Sequence, residues 1–554
     1  MAPHHILRDT VQTALTRAQA AGDLPPFDLP DIVIERPRDT THGDYACPVA
    51  LRLARETRMN PFAVAEAIVR HLDQPAFVSE LHVVRPGFIN FRLAQPFVQQ
   101  TVAQIVQAGE QFGGLALGAG QKVQIECVSA NPTGPITIGR TRGGVIGDTL
   151  GRLMQAAGYD VELEYYYNDA GRQIMLLGES TRIRALQLLG ESAELTSDHY
   201  QGDYITDIAR DLVAQHGDSL RHQPATFFGD YAKQVISSRQ KETLHTIRIF
   251  HDTWFNEADL YTSDRLEGTL DQLSRNGYLY EKDGAFWLRT TAFGDDEDRV
   301  AIRSTDGIPT YRMGDIVYHK DKADRGFDIV VDIFGPDHHA LAPQVLMGVQ
   351  MLGYDTRFVH TLLHQIVTLM RDGKEVRMST RRGQFVTLDE LIDQVGPDPI
   401  RYFFIARSAN SHVLFDMDLA VERSDKNPVY YIQNAHVRCC GIFRKWAEAG
   451  LAEDADESAD LSLLTHEKEL AFLRKALELS ELIEKAATTF EPHHIAFYAL
   501  DLASAFHPMY EESRVLHSEV PDDLRRARLR LYRAARVLFA RVLGLMGMSA
   551  PEVM

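Results

Sequence analysis

Cysteine is scarce in this chain. Its 554 residues include four, Cys47, Cys127, Cys439 and Cys440. None belongs to a C-x-x-C pair, and the adjacent Cys439 and Cys440 have poor geometry for bonding to each other. That argues against a disulfide framework and a cysteine-ligated zinc site, and fits a reducing compartment. Long apolar runs are missing too: no stretch approaches the roughly 20 residues needed to cross a bilayer. The opening "MAPHHILRDTVQTALTRAQAAG" reads as an amphipathic helix without the apolar core of a signal peptide. A soluble cytoplasmic protein is expected. Excess positive charge is also absent. The formal net charge is −19, which argues against nonspecific nucleic-acid binding by the whole surface but allows a local basic face. The run Arg525 to Arg541, "RRARLRLYRAARVLFAR", is helical in pattern and is either such a face or the solvated side of a helix.

What is present is an ordinary globular composition, 45% hydrophobic and 24% charged, in a chain long enough for about three or four domains. Residues 1–112 read as a small α+β unit. Pro48 to Arg55 and Pro61 to Leu72 are helical, the second opened by Asn60 and Pro61 in cap and first-turn positions. "ELHVVRPGFINFRL" alternates around Pro86-Gly87 as a hairpin does. Residues 113–395 read as α/β. There "KVQIECVS" is a strand, followed by a glycine-rich turn and a helix from about Arg142 to Ala157. Ile146, Leu150, Leu153 and Ala157 share one stripe of that helix, Gly158 ends it, and "YDVELEYYY" is a second strand. This βαβ unit puts the turn at the carboxyl edge of a parallel sheet, where backbone N–H groups and the helix dipole suit phosphates. A mostly helical insertion at about 176–290 interrupts the alternation. Residues 396–424 form a connecting stem, and 425–554 are almost wholly helical. There is no internal repeat; "AEDADESADLS" is a low-complexity acidic loop.

The turn itself, "GPITIGRT" from Gly134 to Thr141, nearly spells the phosphate loop G-x-x-x-x-G-K-[ST], but Arg140 stands where the lysine belongs. The longer segment "SANPTGPITIGRTRGGVIGDTLGRLMQAAGYDVELEYYYNDAGRQI" resembles the nucleotide-binding segment of the arginyl-tRNA synthetases, class I enzymes whose turn carries the H-[IV]-G-H signature. The resemblance continues in "YQGDYITDIARDL", "GAFWLRTTAFGDDEDRVAIRSTDGIPTYRMGDI", "GKEVRMSTRRGQFVTLDELIDQVG", "NPVYYIQNAHVRCCGIFRK" and "LGLMGMSAPEVM", and the N-terminal block resembles the family's extra domain. It implies a Rossmann-type α/β catalytic domain with a parallel sheet, an α+β N-terminal domain at the tRNA elbow and an all-α C-terminal anticodon-binding domain. The activity implied is ATP-dependent joining of arginine to tRNA(Arg). A paralogue that binds tRNA or a small ligand without aminoacylating is the alternative.

Two departures bear on catalysis. Thr137 and Arg140 replace the signature histidines around Gly139, and Arg377-Met378-Ser379-Thr380-Arg381 stands where the family has K-M-S-K-S. Expulsion of pyrophosphate from ATP needs positive donors around the developing charge. Arg140, Arg377, Arg381 and Arg382 retain cations there; Thr137 is the loss. The resemblance further implies that Pro132, Gly134, Gly139, Arg140, Asp337, His338, Met378 and Ser379 surround ATP. It assigns arginine to Glu126, Ser129, Asn131, Tyr311 and Asp315. A planar guanidinium with five donors suits two carboxylates, which lysine cannot match. The i, i+4 spacing of Tyr311 and Asp315 alone favours a surface carboxylate one turn from a half-buried tyrosine; the resemblance of "DGIPTYRMGD" reverses that. "GPDHHA" supplies adjacent histidines, but neighbours on a strand face opposite ways and no third metal ligand is evident; no zinc is expected, and Mg²⁺ arrives with ATP. Tyr430, Tyr431, His436, Arg438 and Met554 are expected at the tRNA, although Val553 replaces the family's usual penultimate arginine. A monomer is expected, and the family pattern implies that tRNA binds before arginine is activated.

Overall fold

The computed structural model describes residues 2–37, 39–167, 172–262, 264–303, 309–336, 341–376, 386–450 and 456–554. The N-terminal unit runs α1 (Pro3–Ala20), β1 (Tyr45–Cys47), α2 (Val49–Thr57), α3 (Pro61–Arg70), β2 (Val78–Val84), β3 (Phe88–Leu93) and α4 (Gln95–Ala108). Asn60 caps α3, its side chain accepting from the Phe62 N–H at 2.9 Å. β2 and β3 form the hairpin expected around Pro86-Gly87, with β1 antiparallel on the far side of β3.

The central sheet is parallel. It contains β4 (Lys122–Glu126), β5 (Asp160–Tyr167) and β6 (Thr253–Asn256). Between β4 and β5 lies α5 (Ile138–Ala156); between β5 and β6 lie α6 (Arg172–Leu188), α7 (Asp203–His216) and α8 (Ala225–Thr246). After β6 come α9 (Ala258–Thr262), α10 (Arg265–Arg275), the antiparallel strands β7 (Leu279–Lys282), β8 (Ala285–Leu288) and β9 (Arg299–Ile302), and α11 (Tyr311–Asp324). β10 (Ile329–Phe334), α12 (Ala342–Met351) and β11 (Val359–Leu363) close the sheet in the order β11-β10-β4-β5-β6. The stretch 176–290 therefore does more than interrupt the α/β pattern. Its Thr253–Asn256 is a sheet strand, too short and too aromatic for its alternation to stand out from the helices around it.

Helix α5 starts four residues before the position read from the apolar stripe, because Ile138 is the one apolar side chain its first turn buries. Glycines let it press onto the sheet: a Cβ at Gly144 would lie 2.6 Å from Val128 Cγ2, and one at Gly147 2.7 Å from Cys127 Sγ. Beyond the sheet follow β12 (Val367–Arg371), β13 (Lys374–Glu375), α13 (Leu388–Val395), α14 (Pro397–Ile405), β14 (Val413–Asp416) and α15 (Met417–Val421), with β14 parallel to β12. The C-terminal bundle is α16 (Pro428–Glu448), α17 (Glu467–Ala476), α18 (Leu479–Thr489), α19 (His494–Glu512) and α20 (Asp522–Leu545).

Part of the basic run on α20 is turned inward to carboxylates, while Arg526 is exposed. Arg533 pairs with Asp456 at 2.7 Å and Arg528 with Glu469 at 2.8 Å, both carboxylates fully buried. The N-terminal unit docks on α18, where Arg36 Nη2 and Tyr45 Oη both donate to Glu481 Oε1, at 2.7 and 2.6 Å.

Arg401 is the central tie. Fully buried, it donates Nε to Met546 O at 2.5 Å and Nη1 to Ile247 O at 2.8 Å, and its Nη2 pairs with Asp148. It thereby joins α14, α5, the end of the α8 segment and the end of α20. Gly547 passes so close that a Cβ there would strike the guanidinium. Breaking a buried ion pair strands its partner, so Arg401→Met should cost about 3–5 kcal/mol of stability. Urea melts followed by circular dichroism check this; a loss under about 1 kcal/mol would mean that Arg152, which also pairs with Asp148 at 2.8 Å, suffices.

Candidate active site

The turn after β4 is built from strained and tethered backbone. Val128 and Ser129 have φ of +71° and +42°, a region costly for side-chain-bearing residues and most so for a β-branched one. The strain aims Ser129 Oγ back to donate to Glu126 Oε1 at 2.9 Å, while the Tyr166 N–H donates to that hydroxyl at 3.2 Å. Helices α6, α7 and α8 hold the loop beyond. Gln240 Nε2 donates to Asn131 O at 3.0 Å and Gly134 O at 2.8 Å, Tyr204 Oη to Thr133 O at 2.7 Å, and Asn131 Nδ2 to Gln173 Oε1 at 2.6 Å. Pro132 is buried in this loop.

Thr137 is the N-cap of α5, its side-chain oxygen facing the Arg140 N–H at 3.5 Å and its carbonyl accepting the Thr141 N–H at 3.0 Å. Gly139 is exposed, and a Cβ on it would meet nothing within 4 Å among the described residues. Arg140 is half-buried, one Nη 3.5 Å from Val128 O. Two residues on, Arg142 is wholly buried and donates to Gln365 O, Ser411 O and Ser408 O at 2.6, 2.7 and 2.9 Å.

Opposite the turn, Thr137 makes an isolated antiparallel bridge with Thr387, and the Leu388 N–H donates to Ile136 O at 3.0 Å. Thr387 caps α13 in a full capping box with Glu390. The chain that leaves the "RMSTR" segment is thus pinned beside "TIGR". Arg377, Met378, Ser379, Thr380, Arg381 and Arg382 themselves lie outside the described residues, as do Asp337 and His338.

Glu126 ends β4. Its Cα partners in the flanking strands are Asp332 on β10 and Glu164 on β5, so three carboxylates stand in one row across the sheet. Helix α11 neutralises them. Lys322 Nζ bonds Glu126 Oε2 at 2.7 Å and Asp332 Oδ1 at 2.6 Å; His319 Nε2 meets Asp332 Oδ2 at 2.8 Å; Arg325 forks onto Glu164 at 2.6 and 3.0 Å; the Tyr318 hydroxyl also donates to Glu164. Burial works against the charges on Asp332 and Lys322, but the partners win: Asp332 is held below the usual carboxylate range chiefly by Lys322, and Lys322 is held up by Asp332 and Glu126.

The same helix carries Tyr311, exposed, and Asp315, half-buried, one turn apart. Asp315 forms no ion pair among the described residues. Removal from water pushes its pKa up to about 7, His319 and Lys322 opposing and the charges of Glu126 and Glu257 adding. Strand β4 and helix α11 thus bring Glu126, Ser129 and Asp315 to one acidic site, with Tyr311 at its edge. Sequence reasoning missed Lys322, Asp332 and Glu164, although each carboxylate in an otherwise apolar strand ("VVDIF", "VELEY") was a visible signal.

In the C-terminal bundle, a cavity of ≈ 470 Å³ is lined by Arg438, Lys445, Tyr510, Arg514, His517 and Tyr532 among others. Arg438 lies over the Tyr510 ring at 5.0 Å and bonds His507 at 2.9 Å, and His507 packs on Tyr431. His436 is buried, bonded to Pro551 O at 2.8 Å; it anchors the C-terminal tail and does not face solvent. Tyr430 is half-buried and Met554 exposed. Clusters of three metal-ligating types among the described residues, His4-His5-Glu484 and Glu491-His493-His494, include no residue of this site. No helix among the described residues is long and apolar enough to cross a membrane.

Three family models match the chain in succession: the arginyl tRNA synthetase N terminal domain over residues 5–93, the class I (R) tRNA synthetase catalytic domain over 101–397, and the DALR anticodon binding domain over 432–554. Curated relatives include the arginine–tRNA ligases of Heliobacterium modesticaldum, 42% identical with 98% of each chain covered, and Salinibacter ruber, 42% identical over 99% of this chain and 100% of that one. The fold is that of Thermus thermophilus arginyl-tRNA synthetase, with a TM-score of 0.76 at 22% identity over the whole of both chains. With relatives this similar over their full length, and with a parallel Rossmann-type sheet between an α+β unit and a helical bundle, the chain belongs to the class I arginyl-tRNA synthetases.

Proposed function

We propose that this arginine–tRNA ligase activates arginine with "TIGR" and "RMSTR" as working replacements for the family signatures. The observation that carries the reading is the Thr137–Thr387 bridge, which keeps the start of α5 and the exit of the "RMSTR" segment side by side. Thr137 does what a cap must do at a helix start that receives phosphates: it occupies one orphan N–H and leaves the others to the ligand. Arg140, one turn into the helix, supplies a fixed cation. Gly139 leaves the approach open.

In this reading the arginine carboxylate attacks the α-phosphate of ATP, pyrophosphate leaves, and a ribose hydroxyl at the 3′ end of tRNA(Arg) displaces AMP from the adenylate. Arg140, Arg377 and Arg381 balance charge on the departing pyrophosphate, with Met378, Ser379, Asp337 and His338 beside the nucleotide. Mg²⁺, carried in by ATP, shields the phosphates. Asn131 and Ser129 orient the amino-acid backbone, and Glu126, Tyr311 and Asp315 take the guanidinium. Arg438, Tyr431 and Tyr430 meet the anticodon loop together with Tyr510 and Arg514, which line the bundle cavity, and Met554 lies at the tail. A cytoplasmic monomer that binds tRNA before activating arginine fits the family pattern.

Charging of tRNA(Arg) with labelled arginine should require arginine, ATP and tRNA together. A folded protein that binds tRNA but charges nothing would make it an inactive paralogue. Arg140→Ala should cut ATP–pyrophosphate exchange by at least about tenfold while tRNA affinity stays within about twofold; unchanged exchange would remove Arg140 from the mechanism.

Asp315 makes arginine binding pH-dependent. The guanidinium favours the ionised carboxylate, whereas the empty site holds its pKa near 7. Binding therefore releases a proton at or below that pH, and affinity falls as the solution is acidified through it. The arginine KM should be about tenfold higher at pH 6 than at pH 8. Exchange assays across that range check this, and a flat profile would mean that Asp315 is already ionised in the empty site.

A further inference from the structure

Glu478, Glu481 and Glu484 follow at steps of three residues around the start of α18 and face the N-terminal unit. The first two are met by a permanent cation: Arg36 lies 3.9 Å from Glu478 and forks onto Glu481 at 2.7 and 2.9 Å. Glu484 is treated differently. Among the described residues it pairs with no lysine or arginine, and its Oε2 takes His4 Nε2 at 2.8 Å and His5 Nε2 at 2.5 Å. The side chains of His4, His5 and Glu484 are 15%, 18% and 23% exposed. The hydrogen bond from His4 holds the Glu484 carboxyl below its usual range, so it is ionised at neutral pH. A neutral imidazole brings a dipole and no charge, and two rings 4.1 Å apart centre to centre oppose double protonation. A carboxylate charge is therefore held between α1 and α18 without a full countercharge.

His4 carries the second sign. If its Nε2 donates to Glu484, Nδ1 is a bare lone pair, and that nitrogen is buried with no hydrogen-bond partner among the described residues. Buried polar atoms are normally satisfied. Coordination reverses the ring: Nε2 gives its lone pair to a metal, and Nδ1 carries the proton. Nδ1 then faces Glu481 Oε1, 3.9 Å away, in the carboxylate–histidine–metal order that orients ligating imidazoles. The ligand atoms of His4, His5 and Glu484 all lie within 4.8 Å of one another. Two imidazole nitrogens and one carboxylate oxygen are the donor set of a three-ligand zinc centre. We propose that His4, His5 and Glu484 bind one divalent transition ion of the zinc type, water completing its shell, and that the ion clamps the N-terminal unit to the bundle. Its ligands stand 480 residues apart, so no spacing in the sequence announces it. Glu491, His493 and His494, the other such cluster among the described residues, come from one short segment and join no two parts of the chain.

Tag-free full-length protein, stripped with EDTA, is titrated with Zn²⁺ by calorimetry. One ion should bind with a Kd of about 1 µM or tighter, and excess Mg²⁺ should not displace it, since imidazole favours zinc. Hydrogen exchange in α1 and α18 should slow on binding. His5→Gln keeps an N–H donor for Glu484 and removes a metal ligand; it should weaken binding about tenfold or more, whereas His493→Gln should stay within about twofold. A Kd weaker than about 100 µM, displacement by Mg²⁺, undiminished affinity in His5→Gln, or unchanged exchange in α1 and α18 overturns the proposal. If His5→Gln does not fold, Glu484→Gln keeps an acceptor for both rings and removes the charge. It should show the same loss, and undiminished affinity there overturns the proposal equally.

Discussion

Asp332, Glu126 and Glu164 stand side by side on adjacent parallel strands, where neighbouring backbones lie about 4.8 Å apart. Three buried carboxylates at that spacing repel one another and have lost their water, so the sheet edge is stable only if cations come to it. They come from one element. Along α11, His319, Lys322 and Arg325 follow at steps of three residues and face the row together. That requirement fixes the rotation and height of α11 over the sheet. With the helix so fixed, its first turn has one place to present Tyr311 and Asp315, above the carboxyl end of β4. The pocket is a by-product of neutralising the row. Because the row is satisfied from within the protein, the fold does not wait for arginine, and Asp315, without an ion pair among the described residues, is left to attract positive charge.

At the other side of the site the constraint is a helix terminus. A histidine in the first turn of α5 would contribute a ring that can donate to a phosphate. Thr137 contributes a short oxygen that turns inward to the helix and a backbone that bridges to Thr387. The exchange trades a direct contact with nucleotide for a better-defined helix start, a cap being worth about 1 kcal/mol. Positive charge moves to Arg140, which is half-buried and lies within reach of Val128 O. The strained φ values at Val128 and Ser129 have the same sense: backbone comfort is given up where the chain must pass from strand to turn without blocking the space above Gly139.

How much of this was legible in the sequence depends on range. The βαβ unit, the hairpin around Pro86-Gly87, the cap at Asn60 and the helical C-terminal third follow local periodicity and turn chemistry, which neighbouring residues determine among themselves. The i, i+4 pair Tyr311 and Asp315 does share a helix face. Strand β6 was hidden, since four residues inside a helical stretch carry too little alternation to be read. The buried lysine was hidden for a different reason: "HKDKADRGFD" looks like any solvated helix end, and only the partners on β4 and β10, nearly 200 and ten residues away, turn Lys322 inward. His436 shows the converse. Its type and place on α16 suited an RNA contact, but the returning C-terminal tail covers it.

The longest-range dependence runs along α5 itself. Its first turn carries Thr137 and Arg140; its second buries Arg142 against the carbonyls of Gln365, Ser408 and Ser411; its third carries Asp148, held by Arg401, which in turn grips the carbonyl that ends α20. Each grip is a buried, charge-assisted contact, the strongest kind available to side chains. A straight helix some 19 residues long transmits displacement with little loss. The nucleotide turn and the helical bundle therefore hang on one strut. A shift of the bundle that moved the end of α20 would have to break the Arg401 contacts or carry α5 with it, and Thr137 and Arg140 move wherever α5 moves.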